Sequence, residues 1–383
     1  MLSQLETIEL ENQFYARNDE GQNNHVEIGG KLGEGHYSIS YSAAVNGENR
    51  IIRFFKGIGD GKELSNIATE RNNLGELERV GVNAKLLAAG KQLRHIEYVG
   101  PQKNGQLVSW ESNPIIYDGK SLIAYQICSR IDDRSADQLR EERNDPVFVQ
   151  AFGKDVGRTL AILHDSAQEA SFPFYRTLEE LDNYDHAYWL AKGARTVTAA
   201  SAEAFVSRKA HAELAALLAE QTLPLWDSSQ DHWQPIHGDL GLGNIITSGS
   251  RVTGIVDWDK ARIGFKDSDF RGITDIPGAL DAAADAYEIT MRELTGHDVK
   301  VDRALACKVA LSIHLFNAND AKNLPTQGGG VLNREAAEQL IAANIVLRQL
   351  ANYDSSYEAF RPAFEDQAGV ALEAYPGAHL TLR

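Results

Sequence analysis

One stretch of the chain gathers residue types that do chemistry. Residues 236–246, IHGDLGLGNII, hold His237, Asp239 and Asn244, with the Asp and the Asn five apart. The turn residues Ser248, Gly249 and Ser250 follow. Then comes RVTGIVDWDKARIG (251–264), where apolar Ile255-Val256 delivers Asp257 to the end of a strand. Transfer of a phosphoryl group from a nucleotide needs these types. An Asp near the acceptor hydroxyl orients it and takes its proton, while an Asn and a second Asp hold Mg²⁺ against the phosphate charge. A hairpin with a short turn can bring Asn244 and Asp257 to one ion although they stand 13 apart in sequence. Singly, an Asp after His-Gly reads as a turn residue and an Asp at a strand end as a cap. It is the ordered combination that points to the chemistry.

Phosphates also need a cation. RIIRFFKG (50–57) offers Arg53 and Lys56. Strand alternation puts Arg53 on the face of Ile51, whereas Lys56 adjoins Gly57 and reads as part of a turn, so Arg53 is favoured. Upstream, GGKLGEGHYSISYSA (29–43) carries Gly33-x-Gly35 between β-like segments, a pattern that a hairpin turn explains as well as a phosphate cradle does.

The elements that must position these residues fall into two groups. Residues 1–127 are rich in short β-like runs: SISYSAAV (38–45), ENRIIRFF (48–55) and SLIAYQI (121–127). One helix interrupts them, with Ile67, Glu70, Leu74, Leu77 and Val80 at helical spacing and Gly81 as a stop. From about 128 the pattern is helical. Asp145-Pro146 reads as an N-cap and first position, and Phe148, Phe152, Val156, Leu160 and Leu163 form a stripe. Leu214, Leu217 and Leu218 mark another helix. Pro277 precedes one that buries Leu280, Tyr287, Met291 and Leu294, and 335–350 make a further one. The stretch 236–263 is an island of strand and turn. The expected organisation is a nucleotide-binding lobe over 1–127 and a catalytic, acceptor-binding lobe over 128–383, joined near 125–135, with a ligand cleft between them.

Composition excludes several classes. Hydrophobic residues are 43% and charged residues 24% of 383, as in ordinary globular chains. A net charge of −16 repels phosphate backbones and anionic lipid, so neither nucleic acid nor membrane is an expected partner. Cys128 and Cys307, far apart, form no disulfide framework and fit a reducing compartment. The start MLSQLETIELENQ lacks the pattern of a signal peptide, and a cytoplasmic location is expected. Asp281, Asp285 and Glu288 share one helix face that reads as solvated, or as a contact for a cationic acceptor. Tyr184, Tyr188, Trp189 and Trp258 read as core, or as a box for a quaternary amine.

HGDLGLGN followed by GIVDWDKA resembles the aminoglycoside phosphotransferase and choline kinase family, and the resemblance runs over most of 28–290. It implies an α+β, two-lobed, protein-kinase-like fold, with a small β-rich N-terminal lobe and a larger helical C-terminal lobe. It implies ATP or GTP as donor, Mg²⁺, and a small-molecule acceptor hydroxyl. The first acceptor expected is an aminoglycoside or amino-sugar-like compound. A metabolic kinase of choline, homoserine or methylthio-sugar type, a macrolide phosphotransferase, and an inactive binding protein are the alternatives. Carried over, Asp239 is the catalytic base, Asn244 and Asp257 bind Mg²⁺, and His237 braces the loop. Asp259 recurs in relatives, and Asp269 supports the metal loop. GRTLAILHDS (157–166) resembles the helix end beneath that loop, which makes His164 structural. Gly33, Gly35 and Ser38 match the phosphate-covering loop, and the Arg53 strand matches that of choline kinases. Glu70 is the ion-pair partner expected for Arg53, against a plain exposed helix charge. LIAYQICSRIDDRSADQL (122–139) resembles the hinge, with backbone from Gln126 to Cys128 on the adenine edge and the Cys128 side chain a small apolar wall.

Overall fold

The alternation in 38–55 is realised as strands. In a computed structural model of the chain, the structure describes residues 13–17, 23–34, 38–55, 62–100, 125–139, 142–173, 233–323 and 334–375, with short pieces between 102 and 121 and between 213 and 221. These fall into two compact units: residues 1–78, 92–132 and 256–259, and residues 79–91, 133–255 and 260–383.

The first unit is built on an antiparallel sheet. Its strands are β1 (Gln13–Arg17), β2 (Asn23–Glu34), β3 (Ser38–Val45), β4 (Glu48–Phe55), β5 (Ile96–Gly100) and β6 (Tyr125–Ser129), in the order β1-β2-β3-β4-β6-β5. Ile52 and Phe54 join Val26, Ala43, Val45, Tyr125 and Ile127 in one core cluster. Alternation therefore leaves Arg53 on the opposite face of β4. Helix α1 (Lys62–Arg79) buries Ile67, Glu70, Leu74 and Leu77, and Gly81 at φ +80 follows it. Of the strand expected at 121–127, residues 122–124 lie outside the described residues; the strand that pairs with β4 is Tyr125–Ser129 and runs two residues further than expected.

The second unit is mostly helical. It holds α2 (Val82–Ala88), α3 (Pro146–Ser166), α4 (Ala279–Thr295), α5 (Arg303–Asn323), α6 (Arg334–Tyr353) and α7 (Arg361–Ala374). Asp145 caps α3 by accepting the Val147 N–H, with Pro146 in the first turn. Gly153 and Gly157 let α3 lie against α4. A Cβ on Gly157 would fall 2.0 Å from the Ala283 carbonyl oxygen, and one on Gly153 2.5 Å from that of Ala279. Leu280, Tyr287 and Met291 of α4 are buried, but Leu294, expected on the same face, is exposed.

The island at 236–263 supplies β7 (Trp233–Ile236), β8 (Ile245–Ser248) and β9 (Arg251–Ile255), and β10 (Arg262–Phe265) follows. Strands β8 and β9 form a hairpin, with Ile245 opposite Ile255 and Gly249 in the turn at φ +60. Strand β7 pairs with β10, Ile236 opposite Arg262. A buried 3-10 helix, Lys266–Ile273, comes next. The expected α+β class, β-rich toward the N-terminus and helical toward the C-terminus, is the one found. No helix among the described residues is long and apolar enough to cross a membrane.

Candidate active site

The loop 237–244 leaves β7 and enters β8, so its ends are fixed by two strands. Gly238 sits at φ +78, and a Cβ there would fall 2.2 Å from Arg262 Nη1 and 2.3 Å from the Lys260 carbonyl. Only glycine fits both the left-handed backbone and that space. The next residue, Asp239, has its N–H on His237 Nδ1 at 3.2 Å. Its carbonyl accepts the Gly241 N–H at 2.8 Å and the Asn244 side-chain amide at 2.8 Å. His237 is therefore a brace inside the loop, fully buried. The Asn244 NH₂ is held by a loop carbonyl, which leaves its Oδ1 as the acceptor end.

Beneath the loop, Asp269 of the 3-10 helix accepts the N–H groups of His237 (2.8 Å) and Gly238 (3.0 Å) and bonds His164 Nε2 at 3.1 Å. Gln234 Nε2 and the Tyr287 hydroxyl reach His164 Nδ1 at 2.7 and 3.0 Å. That ring nitrogen accepts, and Nε2–H donates to Asp269. Burial works against the Asp269 charge, but the His164 bond and the surrounding donors outweigh it and hold the carboxyl below the usual carboxylate range. His164 and Asp269 thus form a buried support and lie off the loop's exposed side. The Asp239 carboxylate is instead 41% exposed, and its Oδ1 is gripped by the buried Arg271. Arg271 was not singled out by the sequence reading: it stands 32 residues from Asp239, and no local spacing signals the pair.

In the first unit, Arg53 lies between two carboxylates, 3.6 Å from Glu70 Oε2 and 3.4 Å from Asp257 Oδ1. Burial disfavours its charge, but Asp257 and Glu70 more than compensate and raise its pKa. Glu70 is buried, not an exposed helix charge. Burial pushes its carboxyl up against the pull of Arg53, and it also accepts from the Gln126 amide at 3.2 Å. Asp257 adopts φ +71, a left-handed conformation that short polar residues tolerate best. Asn73 of α1 donates to the Trp258 carbonyl at 2.8 Å and secures this segment.

The remaining sequence candidates separate. Gly33 lies within β2, paired with Ser40 of β3, and Ser38 opens β3 opposite Phe55. Gly35, Lys56, Tyr184, Tyr188 and Trp189 lie outside the described residues. Gln126 and Cys128 are in the interior strand β6, laddered to β4 on one side and β5 on the other. The Cys128 side chain is fully buried, and burial pushes its thiol up to about 12. Trp258 is core, 1% exposed. The acidic face of α4 is paired from within. Arg303 reaches Asp281 (3.2 Å), Asp285 (2.5 Å) and Glu288 (3.2 Å), and Lys300 adds a second cation at Glu288, 2.6 Å away.

The described residues contain no group of three or more His, Cys, Asp or Glu that would hold a resident metal. One carboxylate and one amide oxygen are hard donors that suit Mg²⁺ whose other ligands are water and nucleotide phosphate.

Against known proteins, the profile of the phosphotransferase enzyme family, abbreviated APH, matches residues 106–299. No curated protein matches. Among solved structures, a thermostable mutant of aminoglycoside phosphotransferase APH(4)-Ia with AMP-PNP and hygromycin B is 15% identical, with a TM-score of 0.48 over 84% of this chain and 94% of that one. A GDP and kanamycin complex of APH(2″)-IIIa is 15% identical, TM-score 0.46, over 93% and 97%. The macrolide 2′-phosphotransferase MphH from Brachybacterium faecium is 16% identical, TM-score 0.41, over 95% and 96%. The family match takes in the Asp239 loop, the hairpin and the Asp269 support, and spans just over half of the 383 residues: the chain belongs to the phosphotransferase enzyme family and is a phosphotransferase.

Proposed function

We propose that the protein transfers the γ-phosphoryl group of ATP to a hydroxyl of an amino-sugar-like small molecule of the aminoglycoside class. In this reading Asp239 orients the hydroxyl and accepts its proton as transfer proceeds. The carrying observation is the exposure of that one carboxylate, 41%, in a loop whose neighbours His237, Gly238 and Leu240 are buried. Asn244 Oδ1 and the Asp257 carboxylate are the proposed Mg²⁺ donors, and the ion would neutralise phosphate charge. Arg53, kept charged by its two carboxylates, is the proposed phosphate cation, with Glu70 as its partner. Gly33, Gly35 and Ser38 are the proposed phosphate cover. The laddering of Gln126 and Cys128 on both sides favours moving the adenine contact past Ser129, where backbone groups leave the sheet. Residues 1–127 and 128–383 remain the proposed nucleotide and acceptor lobes, in a cytoplasmic enzyme.

The formal charge of −16 supports a cationic acceptor. A second reading, a less cationic alcohol of macrolide or metabolic-kinase type, is favoured by the pairing of Arg303 with Asp281, Asp285 and Glu288. Salt separates the two: kcat/KM for a polycation falls with ionic strength, and that for a neutral alcohol does not. The central test is Asp239→Asn with a turned-over acceptor. General-base help is typically worth ~10²–10⁴-fold, so kcat should fall by about that much while the ATP·Mg²⁺ Kd from calorimetry stays unchanged. Near-full turnover would remove Asp239 from the mechanism. Parallel loss of binding and turnover would make it a structural residue.

A further inference from the structure

We infer that Arg271 is a positioning residue for Asp239, which fixes one carboxylate oxygen so that the other faces the acceptor hydroxyl. The inference rests on Asp239 being the base. A side chain exposed to 41% and joined to a fixed backbone still turns about χ1 and χ2, and only some of those rotamers present an oxygen to a substrate. Here the guanidinium of Arg271 takes Oδ1. Unlike a rim lysine, this cation is itself buried, with a side chain 10% exposed, so the packing around its stem holds the Nη2 that meets Oδ1 in place.

The backbone that carries Arg271 is held at both ends against the same loop. Two residues before it, Asp269 accepts the His237 and Gly238 N–H groups. One residue after it, Gly272 approaches so closely that a Cβ would fall 2.2 Å from the Leu240 carbonyl and 2.8 Å from Gly241 Cα. The Thr274 hydroxyl closes the turn by donating to the Arg271 carbonyl at 2.7 Å. The 3-10 helix therefore grips the loop at three consecutive places: backbone of 237–238, side chain of 239, backbone of 240–241. Misplacement of a reacting group by about an ångström costs on the order of 10²-fold in rate, and that is the scale on which the grip at 239 acts.

A double-mutant cycle on the full chain tests this, with ATP·Mg²⁺ and an acceptor the wild type turns over. Arg271→Gln should lower kcat by about 10–10²-fold and leave the nucleotide Kd unchanged. Arg271→Lys, a point charge without the fork, should recover only part of that loss. In an Asp239→Asn background the same Arg271→Gln change should cost nothing further, because the group it orients is gone. Equal losses in both backgrounds would overturn the inference by showing that Arg271 acts elsewhere, and an unchanged kcat in the single variant would overturn it outright. Arg271→Met, which keeps the volume of the buried stem, serves with the same outcomes should Arg271→Gln not fold. If Asp239→Asn retains turnover, the base assignment fails first. If Asp239→Asn is inactive while Arg271→Gln is normal, only the role of Arg271 falls.

Discussion

Replacing Asp269 by Asn tests how the loop is supported, and its cost can be worked from the bonds at the two oxygens. Oδ1 accepts the Gly238 N–H; Oδ2 accepts the His237 N–H and His164 Nε2–H. An Asn offers one oxygen and one NH₂. With the nitrogen at the Oδ2 position, two donors face a donor. With it at Oδ1, only the Gly238 N–H does, so that orientation prevails. His164 cannot relieve it by changing tautomer, because its Nδ1 already meets the Gln234 amide and the Tyr287 hydroxyl. One orphaned buried N–H costs about 1–3 kcal/mol, and losing charge assistance in the two surviving bonds costs roughly 1 more. The sum is about 2–4 kcal/mol. At roughly 2 cal/mol/K of unfolding entropy per residue, 383 residues convert that into a Tm lower by about 2–5 °C.

The pH dependence has a definite sign. The folded carboxyl of Asp269 titrates below its unfolded value, so its contribution is fully present above the unfolded pKa of about 3.9 and is lost as pH falls through the folded one. The Tm gap between wild type and Asp269→Asn should be flat from about pH 5 to 8 and narrow only in acid. Differential scanning calorimetry across that range reads it. A gap that closes between pH 5 and 8 would mean that the support depends on a group other than the Asp269 carboxylate, and an absent gap would refute the network's energetic role.

Two further expectations follow from ion pairs in each unit. Arg53→Ala should weaken ATP binding by about tenfold or more and Lys56→Ala should not, read by calorimetry, since loss of one charged contact of this kind is worth about 1.5–3 kcal/mol; the reverse ranking would contradict the β4 register. Arg303→Ala should lower Tm, because it takes a counter-ion from the buried Glu288, while the exposed pairs with Asp281 and Asp285 add little; acceptor KM should stay unchanged. A fall in KM for a cationic acceptor would show instead that the freed α4 face binds it.

The candidate site is legible in the sequence where its residues stand close together. The run from His237 to Asp257 reads directly because the loop, the hairpin turn and the strand-end Asp are local features, and the hairpin forms where the turn residues put it. Legibility fails where burial removes periodicity. Strand β6 is laddered on both sides and Tyr125–Cys128 are all buried, so no alternation marks its end, and it runs two residues past the expected one. Helix α5 buries Leu305, Ala306, Cys307, Val309, Ala310 and Leu311 almost without interruption, which leaves no stripe to find. Helix α7 did carry a signal, Pro362 in its first turn and Phe364, Gln367, Ala368 and Ala371 on one face.

Charge is the property for which sequence reading and structure part most sharply. Asp281, Asp285 and Glu288 are visible as an acidic face, but a one-dimensional reading cannot say whether a cation already sits on them. Arg303 does, from 15 to 22 residues away, and Lys300 joins it at Glu288. The same holds at the loop, where Arg271 meets Asp239 across 32 residues. In both places the carboxylates have an internal counter-ion that the sequence does not show. A charged acceptor would therefore have to be recognised by the long-range field of the net −16 charge or by groups other than these. Contact-level pairing and whole-protein field respond differently to salt: exposed long-range attraction is screened within about 10 Å at 0.1 M, whereas a partly buried contact pair such as Arg271 with Asp239 is screened less. Ionic strength can thus weaken capture of a cationic acceptor without disturbing the geometry at Asp239, which would show as a change in kcat/KM with kcat unaffected.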